Sequence, residues 1–132
     1  MSKIIPNISV DCVIFGFDFN QLNVLLVERK LEDEQTKETL IDDWTLIGYH
    51  IYEEEDTDSA AQRILKKLTG LDHIYLEQFQ AFGEVDRIND PKDKLWLRHQ
   101  SEKFSNRIVT VGYFSLIDST SVSLSLHERN VK

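Results

Sequence analysis

Residues 47–71 read IGYHIYEEEDTDSAAQRILKKLTGL. Over Asp58–Thr69 the apolar residues Ala61, Ile64, Leu65 and Leu68 recur at three- and four-residue intervals, which predicts an amphipathic helix with one buried face. Asp56 or Thr57 is placed to cap its amino end, and Gly70 supplies the left-handed residue that ends it. Ahead of the helix, Glu53, Glu54, Glu55, Asp56 and Asp58 crowd one short segment. Such crowding suits either a bound cation or a solvated acidic loop favoured near a helix amino end.

Strand patterns lie on both sides of this helix. Ser9–Phe17 (SVDCVIFGF) is rich in β-branched and aromatic residues and predicts a strand. DFNQ has turn chemistry, and Leu22–Lys30 (LNVLLVERK) reads as a second, buried strand forming a hairpin with the first. Leu31–Asp43 is polar and reads as loop with at most a helical turn, and WTLIG (44–48) as a short strand ending in a glycine before the acidic loop. Ile74–Val85 is expected to be extended, with Gly83 a bulge or close-approach point. Arg107–Ile117 reads as a long apolar strand, and SVSLSL (121–126) alternates as an edge strand would. One helix between two groups of strands predicts a mixed α+β domain.

The 132 residues are enough for one domain, and neither half would hold a core alone. A net charge of −8 argues against a nucleic-acid surface on these residues, since phosphate backbones need a basic face. The single cysteine, Cys12, excludes an internal disulfide and lies in an apolar run, which predicts a buried, inert thiol. No apolar stretch is long enough to cross a bilayer and MSKIIPNIS lacks a signal-peptide core, so the expected compartment is the cytoplasm, without membrane association. The segment from Arg87 to Arg107 is long for a connection. It carries six basic residues (Arg87, Lys92, Lys94, Arg98, Lys103, Arg107) against Asp90, Asp93 and Glu102. It reads as a surface insertion whose LWL packs locally, or as a loop covering a ligand or touching a partner.

Aligned on the helix, the sequence resembles the Nudix signature G-x5-E-x7-R-E-U-x-E-E-x-G-U, where U is aliphatic. With Gly70 and Leu71 as anchors, Tyr49 stands at the opening glycine, Glu55 at the first glutamate, Arg63 at the arginine and Leu65 at the aliphatic position. The remaining three glutamates fall on Ile64, Lys67 and Leu68. The resemblance implies a Nudix fold, a mixed β-sheet with the Nudix helix packed in an α/β/α sandwich. It implies that Glu55, Arg63 and Gly70 are the structural remnant of the box, with Glu55 and Arg63 bracing the loop against the helix. In Nudix hydrolases the three glutamates converge on Mg2+ from one helical face. Ile64 and Leu68 offer no oxygen, and Lys67 places a cation where the metal would sit, so no catalytic residue, no metal ligand and no cofactor are expected here.

VDCVIFGF, VLLVERK, LTGL, YLEQ, AFGEVDR and RIVTVGYFSLI carry a closer resemblance to the sensor half of Nudix-related transcriptional regulators, NrtR-like and arabinose-regulator-like. That resemblance implies a non-catalytic domain over residues 1–132 that binds ADP-ribose or a pentose such as arabinose. It also implies a homodimer, and DNA contact only through a winged helix-turn-helix expected downstream. The sequence reads as incomplete at its carboxy terminus, and a dimer is expected to cover apolar sheet surface exposed in this way. The cleft is expected between the helix, GYHIYEEE and FGEVDR. Arg29, Tyr49, Glu84, Asp86 and Arg87 are the expected ligand contacts, with Tyr49 or Trp96 as an aromatic floor. His50 reads as a solvated loop residue. Overall acidity leans towards a neutral sugar, while Arg29, Arg87 and the basic insertion favour a nucleotide diphosphate. The alternative class is a divergent hydrolase of the ADP-ribose pyrophosphatase type, with relocated acids such as Glu53, Glu54, Asp56 and Glu84 holding Mg2+.

Overall fold

Alternation along Ile4–Phe17 (β1) puts Val10, Cys12 and Ile14 on one face, all fully buried, and Ser9 and Asp11 on the other. The computed structural model describes residues 3–104 and 107–118. The remaining elements are β2 (Leu22–Val24), β3 (Val27–Glu32), β4 (Thr39–Thr45), β5 (Ile47–Tyr52), α1 (Thr57–Thr69), β6 (Glu77–Phe82), α2 (Pro91–Gln100) and β7 (Val109–Asp118). Along one edge β1 pairs antiparallel with β5 and then β2, and along the other it pairs parallel with β7 from Ile8 to Phe17. β6 extends the sheet beyond β7, and β3 and β4 form a separate two-stranded sheet.

Helix α1 rests on β5 and β1. Its buried face, Ala60, Ala61, Ile64 and Leu65, meets Val10, Cys12, Ile47, Ile51, Val111 and Tyr113, with Leu68 packed against this core. Asp56 caps the helix by accepting from Ser59 N at 2.8 Å, and Gly70 ends it at φ 81°. The Cys12 thiol is buried and directed to the Ala61 carbonyl, and burial followed by the charge of Asp11 pushes its pKa up to about 12. Thus the helix, its caps and the buried thiol agree with expectation, and the positions of the missing glutamates divide. Ile64 and Leu68 serve the core, and Lys67 is exposed.

Several expectations are corrected. LNVLLVERK is not one strand: Leu22–Val24 makes the hairpin with β1, and Val27–Glu32 leaves for the second sheet. The polar stretch after it is a hairpin, because Asp33 accepts from Gln35 N and Thr36 N to turn the chain into β4. WTLIG does not form one strand, because Leu46 carries the chain from β4 in one sheet to β5 in the other. GYHIY is strand rather than loop. The irregularity in β6 falls between Gln78 and Gln80, not at Gly83. The basic insertion contains α2, started by Asp90 as N-cap with Pro91 in the first turn, signals that its weak apolar periodicity obscured. The expected edge strand at 121–126 lies outside the described residues.

Residue 64 tests this division. Ile64→Ala is expected to cost about 2–4 kcal/mol. Ile64→Glu, which restores the signature acid, costs more, since it drives a carboxylate into the core. Lys67→Glu, at an exposed position, stays within about 0.5 kcal/mol of wild type. Urea-unfolding midpoints check the ordering, and an unchanged midpoint for Ile64→Glu would refute the packing described.

Candidate functional site

The loop before α1 is closed by an ion pair. Glu55 accepts from Tyr52 N at 2.9 Å and from Arg63 Nε and Nη2 at 2.6 and 3.0 Å. Arg63 Nη2 also donates to the His50 carbonyl at 2.9 Å, and the guanidinium lies 3.9 Å from the Tyr52 ring centroid. Burial raises the Glu55 pKa, but the Arg63 and Tyr52 N hydrogen bonds and the Arg63 charge outweigh it and hold the carboxyl below its ordinary value. Glu53 and Glu54 are exposed, and Asp56 is engaged as the helix cap. Among the described residues, no three His, Cys, Asp or Glu side chains gather as metal ligands.

The cleft lies at the seam between the two sheets, roofed by α2. Its inner chamber, about 200 Å³, is lined by Asp11, Arg29, Gly48, Arg87 and Thr110 among others. Arg29 donates from Nε and Nη2 to the two Asp43 oxygens, each at 2.7 Å, and from Nη1 to Asp93 on α2 at 2.8 Å. Trp96 of α2 stands over the same guanidinium, 5.9 Å away. The hydrogen bond from Arg29 holds the Asp43 carboxyl below its ordinary value against the effect of burial. Arg87 donates from Nη2 to Thr110 Oγ1 at 2.7 Å and to the Ile108 carbonyl at 3.1 Å. Asp11 is enclosed beside Gly48, where a Cβ would lie 2.0 Å from its Oδ1, so any side chain there would displace the carboxylate. Burial pushes the Asp11 carboxyl up to about 6, with the Arg87 charge partly opposing.

An outer chamber of about 630 Å³ adjoins the inner one across Thr45, Leu46, Gly48, Tyr49, Trp96 and Gln100, which line both. Its ionisable lining is Lys30, Lys67 and His99 against one carboxylate, Glu28. The structure thus brings Arg29, Tyr49 and Arg87 to one cleft. Glu84 and Asp86 are exposed and line neither chamber, because β6 ends at Phe82 and the chain turns there, Arg87 N donating to the Glu84 carbonyl at 3.4 Å. His50 is fully buried on β5 with Nδ1 3.3 Å from the Ile8 carbonyl, and burial lowers its pKa. Sequence reasoning missed Asp11, Asp93, Lys30 and His99 as lining residues. Asp11 had a signal, an acid flanked by buried apolar positions within a strand.

Two measurements follow from this geometry. Arg63→Ala leaves Glu55 partly buried without its cation and is expected to cost about 3 kcal/mol in thermal unfolding, against a small loss for an exposed acid such as Glu53→Ala. Asp11 has a folded pKa above its unfolded value, so its stabilising contribution is complete below about pH 4 and is lost as pH rises through about 6. His50, with a lowered pKa, acts in the opposite sense, so Asp11→Asn serves as the reference. Relative to that variant, wild type should lose on the order of 1–2 kcal/mol between pH 4.5 and 7.5. A difference independent of pH would refute it.

No family model matches the chain. It is 33% identical over 115 residues to the ADPR responsive transcriptional repressor NtrR of Acinetobacter baylyi, covering 86% of this chain and 38% of that protein. The chain thus spans about two-fifths of the length of this curated relative. Its structure is similar to a MutT/nudix family protein from Enterococcus faecalis, with TM-score 0.68 and 25% identity over 98% of this chain and 44% of the other. It is also similar to the NUDIX domain of Shewanella oneidensis NrtR, solved as a complex with ADP ribose, with TM-score 0.64 and 25% identity over 97% of this chain and 71% of the other. The shared architecture and this identity agree on one conclusion: the chain has the Nudix fold, in the form found in the Nudix-related regulators.

Proposed function

We propose that the chain is the effector-sensing domain of a transcriptional regulator and binds a nucleotide sugar of the ADP-ribose class without hydrolysing it. The observation that carries this reading is the pair of joined chambers meeting at Tyr49 and Trp96. A ligand with two sugars and a diphosphate can occupy both, whereas a single pentose such as arabinose fits within the inner one. The Acinetobacter repressor and the Shewanella complex support the same ligand class. The chain is acidic overall, but the outer chamber is not, which removes the lean towards a neutral sugar.

The residues at the signature positions do not fit Mg2+: two are packed apolar side chains and the third is a lysine. That donor set supports binding without hydrolysis. Homodimerisation, a cytoplasmic location and DNA contact through a winged helix-turn-helix elsewhere in the whole protein belong to the same proposal. Among the described residues, no helix is long and apolar enough to cross a membrane.

Calorimetry of the chain with ADP-ribose, AMP and L-arabinose tests the reading. Saturable binding of ADP-ribose, weaker binding of AMP and none of arabinose are expected. Incubation of ADP-ribose with Mg2+ or Mn2+ should release no AMP. Robust AMP formation would establish the hydrolase alternative, and binding of arabinose alone would replace the ligand class.

A further inference from the structure

The cations of the cleft fall into two kinds. In the inner chamber, Arg29 is held by Asp43 and Asp93, and Arg87 is held by the Thr110 hydroxyl and the Ile108 carbonyl. An anion arriving at Arg29 competes with bonds already made, and at Arg87 it meets a guanidinium bonded through Nη2 whose buried Nε has no hydrogen-bond partner among the described residues. In the outer chamber, Lys67 from α1 and Lys30 from β3 line the same cavity, are exposed, and among the described residues make no ion pair or side-chain hydrogen bond. His99 of α2 lines the cavity as well, beside Trp96 with ring centroids 5.9 Å apart. In a chain of net charge −8, this wall carries two lysines and a histidine against the single carboxylate of Glu28.

Uncommitted ammonium groups around a shared cavity are donors without acceptors, and phosphate oxygens are the acceptors that suit them. A phosphate placed there loses water but gains charge-assisted hydrogen bonds, and no bound metal is needed to neutralise it. We propose that Lys67, with Lys30 and His99, forms a metal-independent subsite for the phosphate groups of the ligand. A diphosphate here is held by the protein's own cations. The inner chamber, with Asp11 and Thr110, is left for hydroxyl-bearing parts of the ligand. The inference rests on the nucleotide-sugar reading for its ligand, but the subsite can be probed without it.

Inorganic pyrophosphate is the first probe, titrated into the 132-residue chain in EDTA at millimolar concentrations and followed by NMR. Saturable shifts at residues of the outer chamber are expected, unchanged on adding excess Mg2+, retained in Lys67→Arg and lost in Lys67→Glu. Absence of shifts, a requirement for Mg2+, or retention in Lys67→Glu would overturn the subsite. ADP-ribose is the second probe, and Lys67→Ala should weaken its binding about tenfold, with Lys30→Ala showing a smaller loss. Binding of pyrophosphate but not ADP-ribose would sink the nucleotide-sugar reading and leave the subsite standing. Unweakened binding of ADP-ribose to Lys67→Ala would do the reverse.

Discussion

Arg63 organises the part of the fold from which the cleft is built. Its guanidinium joins the Glu55 carboxylate, the His50 carbonyl and the Tyr52 ring, so one side chain of α1 fixes the end of β5 and the loop between them. A planar fork is needed for this, since a lysine cannot serve a bidentate acceptor, a carbonyl and an aromatic face together. The pair is partly buried, and its contribution is specificity of arrangement as much as stability, because desolvation offsets much of the ionic attraction. With β5 held, Gly48 and Tyr49 stand at the seam where both chambers meet.

Separation of brace from donor set explains how the scaffold survives at the signature positions. Ile64 faces the sheet side of α1, where apolar surface gains from burial, Leu68 packs against that core at the border of the outer chamber, and Lys67 faces the chamber itself. Two positions therefore add to the core and the third alters cleft charge, while Glu55 and Arg63 keep the loop closed. The brace does not require a metal-binding face on the same helix.

What the sequence made legible follows local physics. Helix α1 could be read because periodicity, cap and terminator coincide within Asp56–Gly70. Helix α2 could not, since none of its residues is buried and its apolar pattern is weak, although Asp90–Pro91 marked its start. The division of LNVLLVERK between two sheets has no local signature; it is set by which partners β1 and β4 present. Arg29 and Arg87 were found as polar groups near a cleft. Their bonds to Asp43, Asp93 and Thr110 span between 14 and 64 residues of sequence, and no spacing rule reaches that far. Glu84 and Asp86 line neither chamber for a related reason, because a strand ending three residues earlier than expected points its next side chains elsewhere.

The place of the cleft follows from chain geometry. Leu46 is the single residue between β4 and β5, and across it the backbone leaves one hydrogen-bonded sheet for another. No ladder closes that seam, so side chains from β1, β3, β5, α1 and α2 converge on it without any of the elements being interrupted. Such a site can exchange charged groups at low cost to the fold at exposed Lys30, Lys67 and His99, whereas Val27, Tyr49 and Leu68 border both the outer chamber and the core. Asp11 is the exception: it sits on the cleft face of the central strand, enclosed against Gly48, and there the chemistry of the site and the stability of the sheet are one constraint.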